Sequence, residues 1–387
     1  MSVNDAASLR GDWLFPTQVR FGCGRIVELN EVCTRLGLRR PLLVTDRGLI
    51  KTDVARTVIA AATGPGVAPQ VFAEVRENPT NVEVEAGADA FRAAQCDGVI
   101  ALGGGSALDC GKAIAVLAGC GGSLWRFAWP DHEAAQSETG VFPIIAVPTT
   151  AGTGAEVEAS GIITNPAIPI KKGIVHPAML PKVVLADPAL TVSLPPRLTA
   201  ATGMDALSHN LEALCVVGYH PMADAIALAG IAAVAKYLPA AVREPGNLEA
   251  RSQMMAAALI EATAFGKGLG AMHALSHVIG AMIDAQHGLT NAVLMPFVLA
   301  HNRPAIGDKL ALVAEALKLP GDPFTAVHRW ILDLRKEVGV PHTVTELGLA
   351  RADFDRVATL AETDICAGTN PIPIAAAGFR AILDAAA

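Results

Sequence analysis

The sequence predicts two domains, an α/β domain with a parallel, doubly wound sheet followed by an all-helical domain. Short apolar runs alternate with helix-like segments in the first half, and this alternation is typical of βαβ units. Pro195-Pro196 interrupts the chain, and beyond it almost every segment has a helical pattern. A chain of 387 residues is long enough to build both cores. We therefore expect an α/β domain in residues 1–190 and a helical domain in residues 191–387.

The elements of the first domain follow one another at short intervals. Apolar runs such as Leu42-Leu43-Val44 are of the kind that forms buried parallel strands. The predicted strands are Gln18–Phe21, Pro41–Asp46, Val67–Phe72, Gly98–Leu102 and Phe142–Val147. The predicted helices are Arg25–Leu36, one that ends at Ala60, Asn81–Ala94 and Ser106–Leu117.

Composition excludes several classes of protein. Hydrophobic residues make up 52% and charged residues 17%, so the chain is globular. A net charge of −7 without a basic cluster, together with only 4% aromatic residues, argues against nucleic-acid binding. Seven cysteines form no CxxC pair, which fits reduced thiols in the cytosol.

Membrane and export signals are also not predicted. Residues 1–13 lack the apolar core of a signal peptide. The longest apolar run, Ala225–Ala235, is shorter than the roughly 20 residues that cross a bilayer. We expect a cytoplasmic protein without a membrane or nucleic-acid partner.

Five acidic and histidine side chains of the second half have the spacing of metal ligands. Asp205 and His209 are four residues apart in a helical segment, His273 and His277 repeat that spacing, and His287 follows. Residues at i and i+4 share one face of a helix. A carboxylate with three or four imidazoles is a ligand set for a borderline divalent metal.

The alternative is that each histidine is a core residue bonded to a backbone carbonyl. Five such residues in an apolar region are hard to bury without a common partner, because every buried polar group must be satisfied. We therefore predict a metal site. Ala274 follows His273, so the HExxH pattern of zinc proteases is absent.

A glycine-rich turn follows the strand Gly98–Leu102. Gly103-Gly104-Gly105-Ser106 leads into a helix, and the free amides and dipole of a helix N-terminus favour a phosphate. A tight turn without a ligand is the alternative. Leu108 breaks the GxGxxG pattern, and Ala113 after Lys112 breaks the Walker A pattern. The glycines alone leave the ligand open.

Two further segments are consistent with a nucleotide. Asp46 ends an early strand, where an acid accepts hydrogen bonds from ribose hydroxyls and repels a 2′-phosphate. Its alternative role is an ordinary helix N-cap. The run from Pro148 to Glu156, PTTAGTGAE, places hydroxyls and glycines after a strand, where they can line a phosphate or a ribose. Its alternative role is a polar connection.

Taken together, these motifs resemble the iron-containing (group III) alcohol dehydrogenases, relatives of glycerol dehydrogenase and dehydroquinate synthase. The resemblance is carried by GGGSALDCGKA, PTTAGTGAEVEASGIIT, DPALTVSLPP, TGMDALSHNLEA and HALSHVIGAMIDAQHGLTNAV, in the family's order and spacing. It extends from about Phe15 to the last helix. It implies a Rossmann-like NAD-binding domain and an all-α metal-binding domain, a dehydroquinate synthase-like fold.

The resemblance implies roles for the histidine cluster. Asp205, His209, His273 and His287 match the family's four metal ligands, which usually hold Fe2+, with Zn2+ as an alternative. His277 matches a histidine that lies beside the nicotinamide and the substrate and does not bind the metal. We expect it to transfer protons.

The resemblance also implies cofactor and substrate contacts. NAD, rather than NADP, is the expected cofactor because Asp46 matches the adenine-ribose acid. The other implied cofactor residues are Gly103, Gly104, Gly105 and Ser106 of the pyrophosphate loop, Asp109, Thr149, Thr150 and Thr153, and Lys171 in uncertain register with Lys172. Phe265 matches an aromatic residue of the substrate pocket.

Two departures from the family pattern concern the substrate. Gly266-Lys267-Gly268 stands where small or amide residues are common, and Asn370-Pro371-Ile372 replaces Asn-Pro-Arg. One hypothesis is that Lys267 recognises an anionic tail, as on an ω-hydroxy acid. The alternative is a solvated surface lysine.

The implied activity is hydride transfer between nicotinamide and a small primary alcohol, diol or hydroxy acid, in an enzyme that forms homodimers or larger homo-oligomers. The sheet edge near residues 15–21 is a candidate subunit contact. Related alternatives are a zinc glycerol dehydrogenase and a maleylacetate reductase, which would not need Asp205. A lyase would need a more basic pocket. The non-enzymatic alternative is a silent NAD- and metal-binding protein.

Overall fold

The computed structural model describes residues 17–130, 135, 137–168 and 170–387, and the backbone of residues 11–14. The chain divides into two compact units. One comprises Met1–Thr150 with Ala155–Ser193, and the other comprises Leu194–Ala387 with Ala151–Gly154. The short segment that joins the second unit lies within the predicted PTTAGTGAE turn.

The first unit is built on a sheet with strand order β1-β2-β9-β6-β5-β3-β4. Its strands are β1 (Gly11–Leu14), β2 (Gln18–Phe21), β3 (Leu42–Asp46), β4 (Gln70–Val75), β5 (Val99–Gly103), β6 (Ile144–Pro148) and β9 (Val183–Ala186). All neighbours are parallel except β1 and β2. The predicted parallel α/β fold is confirmed. A separate antiparallel pair, β7 (Ser160–Asn165) and β8 (Ile170–Val175), is not predicted from the sequence.

Helices cover both faces of this sheet. They are α1 (Leu29–Arg35), α2 (Asp53–Ala62), α3 (Asn81–Ala93) and α4 (Gly105–Cys120). Ile100 and Leu102 of β5 share a buried cluster with α1 and α2. Ala101 faces the opposite way, and a Cβ at Gly111 of α4 would lie 2.8 Å from the Ala101 Cβ. Gly111 therefore lets α4 pack closely on β5.

Two predictions about strands need correction. The strand predicted at Val67–Phe72 is β4, which begins at Gln70, because Val67 forms a turn bridge with Gly64. Residues 18–21 do not form an open edge, because β1 and β9 flank β2 on its two sides. Residues 15 and 16 of that predicted edge lie outside the described residues. Among described strands, β1 and β4 form the edges.

The second unit is helical, as predicted. Its helices are α5 (Pro196–Cys215), α6 (Pro221–Arg243), α7 (Leu248–Ala264), α8 (Ala271–Ile283), α9 (His287–Ala316), α10 (Pro323–Glu337), α11 (Phe354–Ala361) and α12 (Ala376–Ala385). α5 is buried along nearly its whole length and contacts α6, α7 and α9. It is therefore the central helix of this unit.

The apolar run Ala225–Ala235 lies within the longer helix α6. Among the described residues, α6 alone has the length and hydropathy of a membrane span, and 33% of its apolar window is buried. Its buried residues Ala227, Ile231, Val234 and Leu238 belong to the core of the helical unit.

Candidate metal and active site

Four ligand-type side chains converge inside the helical unit. Asp205 and His209 lie on α5, His273 lies on α8, and His287 is the first residue of α9. One ligand atom from each residue lies within 4.8 Å of the others. Asp205, His209 and His273 are buried, and His287 is partly exposed. The i,i+4 pair on α5 thus meets one histidine from each of two further helices.

The start of α9 can reach α5 because Gly288 lies between them. A Cβ at Gly288 would lie 2.2 Å from the Ala201 carbonyl oxygen and 2.9 Å from the Asp205 Cβ. Neither backbone nor Cβ can move aside easily, so any larger residue would push His287 away from Asp205. The glycine of the HG pair therefore sets the position of the fourth ligand-type side chain, His287.

Both oxygens of Asp205 have fixed partners. The Thr153 hydroxyl donates to Oδ2 at 2.9 Å, and the Asn291 amide donates to Oδ1 at 2.9 Å. Thr153 is predicted to line the cofactor, but its hydroxyl hydrogen-bonds to this carboxylate. Both hydrogen bonds restrict the rotation of a ligand-type carboxylate.

The His209 ring is held through Nδ1. That atom lies 3.1 Å from the Asp205 carbonyl oxygen and 3.2 Å from Glu261 Oε1. Two acceptors at Nδ1 require the proton there, which leaves the Nε2 lone pair free. Burial lowers the pKa of His209 to about 4, so the ring is neutral at physiological pH.

His273 is held by a buried carboxylate from α5. Its Nδ1 lies 2.7 Å from Glu212 Oε2. Glu212 also accepts from the Gly270 and Met272 amides, at 2.8 and 2.7 Å, and so caps α8. Burial alone would raise the pKa of Glu212, but these hydrogen bonds hold it below its usual value. One ionised carboxylate thus fixes both the helix and its histidine.

His287 and Asn291 are one turn apart on α9. Ser276 Oγ lies 2.9 Å from Nδ1 of His287. The Asn291 amide nitrogen lies 3.2 Å from His287 Nε2 and 3.1 Å from His273 Nε2. With its bond to Asp205, this one buried amide contacts three of the four ligand-type side chains.

This donor set fits a divalent metal. Each imidazole has a hydrogen-bond partner at Nδ1, and this second contact is what orients metal-bound histidines in proteins. Three imidazole nitrogen donors and one carboxylate suit iron(II) or zinc and would hold a hard cation such as Ca2+ poorly.

His277 lies beside the four-residue cluster. Its ring stacks on His287, with centroids 5.5 Å apart and planes at 11°. Its Nδ1 lies 3.0 Å from Asp364 Oδ2. Burial raises the pKa of Asp364, but His277 and the Cys366 amide hold it below its usual value. The ionised Asp364 fixes the ring with Nε2 free.

The two predicted substrate residues have different surroundings. The Phe265 ring lies beside His209, with centroids 4.9 Å apart. The Lys267 ammonium lies 2.7 Å from Asp224 Oδ1 and 3.4 Å from the Leu214 carbonyl, and the side chain is 3% exposed. An ammonium enclosed in this way is not presented to a substrate. Both hypotheses for Lys267, an anion receptor and a solvated surface lysine, disagree with this placement.

The α/β unit brings several predicted cofactor residues to one edge of its sheet. Asp46 ends β3, Gly103 ends β5, and Thr149 and Thr150 follow β6. These strands are parallel neighbours, so their carboxyl ends share an edge. A Cβ at Gly103 would lie 3.6 Å from Asp46 Oδ2 and 2.7 Å from the Ala107 Cβ.

The start of α4 faces the same edge. Gly104 precedes the helix and makes no side-chain capping bond, and Gly105 and Ser106 are its first residues. The first amides of a helix lack partners within it, so they suit a phosphate. Asp46 Oδ1 accepts from the Gly48 and Leu49 amides at 2.8 Å. Asp46 thus closes its own turn, whereas the N-cap of α2 is Thr52.

Two other predicted cofactor residues have structural contacts. Asp109 Oδ2 accepts from the Ile162 amide at 2.9 Å, and Oδ1 lies 3.0 Å from Lys112 Nζ. These contacts give no support to a cofactor role for Asp109. Lys171 lies on β8 opposite Thr164, so consecutive Lys171 and Lys172 extend to opposite faces of the hairpin.

Sequence reasoning did not identify the residues that support the cluster. They are Glu212, Glu261, Ser276, Asn291 and Asp364. Glu212 follows His209 by three positions and Asn291 follows His287 by four, so helical spacing could have indicated both. Glu261 is a lone acid in the apolar run ALIEATA, which is a weaker signal.

Comparisons with known proteins agree with this geometry. The iron-containing alcohol dehydrogenase family matches residues 16–188, and the C-terminal region of the Fe-containing alcohol dehydrogenase family matches residues 199–387. Fold and site thus define an alcohol dehydrogenase-type oxidoreductase. The chain belongs to the iron-containing alcohol dehydrogenase family, and the predictions of family and enzyme class are confirmed.

Individual relatives extend over nearly the whole chain. A 4-hydroxybutyrate dehydrogenase from Cupriavidus necator is 40% identical over 379 residues, 95% of this chain and 97% of that protein. The structure of a 1,3-propanediol oxidoreductase has a TM-score of 0.90 at 36% identity and covers 95% of this chain and 97% of its own. A sulfoacetaldehyde reductase from Bifidobacterium kashiwanohense, solved with NAD+, has a TM-score of 0.86 at 30% identity and covers 97% and 98%.

Proposed function

We propose that the chain is a metal-dependent, NAD-linked dehydrogenase that interconverts a small primary alcohol, diol or hydroxy acid with its aldehyde. The convergence of Asp205, His209, His273 and His287 carries this proposal. These residues would hold Fe2+, or Zn2+ in its place, from the helical domain, residues 191–387. The α/β domain, residues 1–190, would hold NAD through the edge formed by Asp46, the glycine turn and the threonines after β6.

The bound groups supply the difficult chemistry, the metal as a Lewis acid toward the substrate oxygen and NAD as the hydride acceptor. The protein contributes orientation. Glu212, Glu261 and Ser276 each contact one imidazole Nδ1, so the three Nε2 atoms are the ones that would bind the metal. Phe265 covers one side of His209 with an apolar ring and excludes water there.

His277 is placed to move a proton. Asp364 fixes its Nδ1, so its Nε2 can accept a proton released by the alcohol and pass it on. The neighbouring His287 ring holds the imidazole in one plane. We therefore assign proton transfer to His277 and no metal binding.

NAD is the cofactor we favour over NADP. Asp46 Oδ1 is used by the turn amides, and Oδ2 lies near Gly103, where a ribose would approach the glycine turn. A carboxylate at this point repels a 2′-phosphate. The relative solved with NAD+ supports the same choice.

The substrate we favour carries a second oxygen a few carbons from the reacting alcohol. The 4-hydroxybutyrate and 1,3-propanediol enzymes among the relatives share this feature. The substrates 4-hydroxybutyrate and 1,3-propanediol differ in the charge of the far end. Lys267 is enclosed and therefore gives no preference for the anionic substrate. Assembly into homodimers or larger oligomers is supported by the position of β1 at a sheet edge among the described strands, and it is testable by light scattering.

The test is turnover by anaerobically purified enzyme with NAD or NADP, on ethanol, 1,3-propanediol and 4-hydroxybutyrate, before and after chelation. We expect NAD-linked oxidation that chelation abolishes and Fe2+ restores. Restoration by Zn2+ alone would favour the glycerol dehydrogenase alternative. Reduction of maleylacetate after chelation would favour the maleylacetate reductase alternative. Binding without turnover would identify a silent protein.

A further inference from the structure

A second buried carboxylate, Glu261, lies behind the metal-ligand cluster. It belongs to α7, and its side chain is 0% exposed. Its Oε1 lies 3.2 Å from His209 Nδ1. Its Oε2 accepts from the Asn210 amide at 3.2 Å. His209, a ligand-type residue of α5, is thus linked to an acid from another helix.

Residues of α5, α6 and α7 surround this carboxylate. The Asn210 amide nitrogen bridges the Ala206 carbonyl at 2.8 Å and Glu261. A Cβ at Gly230 of α6 would lie 2.3 Å from Asn210 Oδ1, so α6 leaves this space open for the amide. Glycine inside a helix is itself unfavourable by about 1 kcal/mol. Gly230 therefore makes room for the Asn210 side chain, which in turn hydrogen-bonds to Glu261.

Burying an acid requires compensation. Taking a carboxylate out of water costs several kcal/mol unless other groups offset it. Glu212 has that offset, because it accepts two backbone amides and the His273 ring. Glu261 Oε2 accepts from the Asn210 amide at 3.2 Å, and Oε1 lies 3.2 Å from the His209 ring nitrogen. A divalent cation on the far side of the His209 ring would offset its charge.

We propose that Glu261 is a positioning residue that strengthens metal binding through His209. The Nδ1 proton is donated to the Asp205 carbonyl, and the Glu261 carboxylate 3.2 Å from Nδ1 favours this tautomer and stabilises the positive charge that metal binding would place on the ring. This inference rests on the proposed metal site. In other proteins, loss of the carboxylate partner of a ligand histidine lowers metal affinity or activity by about 10- to 100-fold.

The test is competition between the metal-free protein and a coloured chelator for Zn2+, which yields a dissociation constant. We expect Glu261→Ala to weaken binding about 10- to 100-fold. Glu261→Gln keeps the shape and an acceptor oxygen, so we expect an intermediate loss of roughly 3- to 10-fold. Ser252→Ala is the matched control, because Ser252 is buried on the same helix and donates to the Leu248 carbonyl.

A cobalt(II) spectrum and the melting temperature of the metal-free protein separate positioning from folding. We expect the visible cobalt bands to shift in both Glu261 variants and to stay unchanged in the Ser252 variant. Equal dissociation constants for wild type and Glu261→Gln, with only a lower melting temperature, would overturn the inference. If Glu261→Ala does not fold, Glu261→Gln decides alone. Absence of metal binding by wild type would instead refute the proposed function.

Discussion

Both units bury carboxylates, but the pKa is lowered in one unit and raised in the other. In the helical unit Glu212 accepts two amides and an imidazole, and its pKa lies below the usual value. In the α/β unit Glu156 is 3% exposed, and burial raises its pKa to about 7. Its Oε1 has no hydrogen-bond partner within the described residues. The same residue type is therefore ionised in one unit and close to protonation in the other.

The difference arises from what the neighbouring groups already bind. The Lys112 ammonium near Glu156 donates to the Ala155 carbonyl at 2.6 Å and to the Ser160 carbonyl, and it pairs with Asp109. Those contacts fasten the segment after β6 to α4. In the helical unit Glu212 and Glu261 contact the Nδ1 atoms of His273 and His209 and do not occupy their Nε2 atoms. A buried charge cluster can bind a ligand when its internal contacts leave donor atoms directed to one point.

Loss of a ligand from the helical cluster should have the largest effect. His273→Ala removes one of four donors, and we expect kcat/KM to fall more than about 100-fold, beyond what loss of a supporting contact causes. The control is His176→Ala, a buried histidine of the α/β unit. Steady-state kinetics with NAD measures this. A comparable loss of kcat/KM in the two variants would contradict the special role of the helical cluster.

Glu212→Gln should lower the stability of the metal-free protein. A neutral amide cannot satisfy every donor of the Gly270 and Met272 backbone and of His273, so we expect the metal-free protein to lose about 1–3 kcal/mol at neutral pH. The folded pKa of Glu212 is lowered, so its stabilisation is full above pH 4.5 and declines as the pH falls through the folded value. Urea unfolding should show the gap to wild type narrowing in acid. A gap that widens in acid would contradict this reading.

Glu156→Gln should show the opposite pH dependence. The folded pKa is raised from 4.5 to about 7, so the stability contributed by protonated Glu156 is full below pH 4.5 and is lost as the pH rises through about 7. The variant should therefore gain relative to wild type between about pH 5 and pH 8, by at most ~3 kcal/mol. Urea unfolding at the two pH values measures this. An unchanged difference would mean that Glu156 is ionised throughout.

Of these variants, Lys267→Met should have the smallest effect on activity. Lys309 remains 2.6 Å from Asp224 Oδ2, so the carboxylate stays paired and we expect a stability loss of about 1–3 kcal/mol from the lost charged hydrogen bond. The ratio of kcat/KM for 1,3-propanediol and 4-hydroxybutyrate should change less than about twofold. Lys309→Met is the matched control on the same carboxylate. A selective loss for the hydroxy acid would restore Lys267 as an anion receptor.

Local spacing was enough to predict the ligand-type residues. Asp205 with His209 follows from i,i+4 geometry on one helix, and the strand-turn-helix at Gly103 follows from its apolar run and glycines. Contacts between distant segments were not predictable. Asp364 reaches His277 across 87 positions, and Asp224 encloses Lys267 across 43. The hairpin β7–β8 was missed because its residues lack a strict alternation of apolar and polar types.

The central claim is that Asp205, His209, His273 and His287 form one metal centre. The direct test is elemental analysis of anaerobically reconstituted protein after gel filtration, for wild type and for His287→Ala. We predict about one iron or zinc per wild-type chain and a large loss in the variant, because all four donors surround one point. No metal in wild type, or equal metal in the two proteins, would contradict the claim.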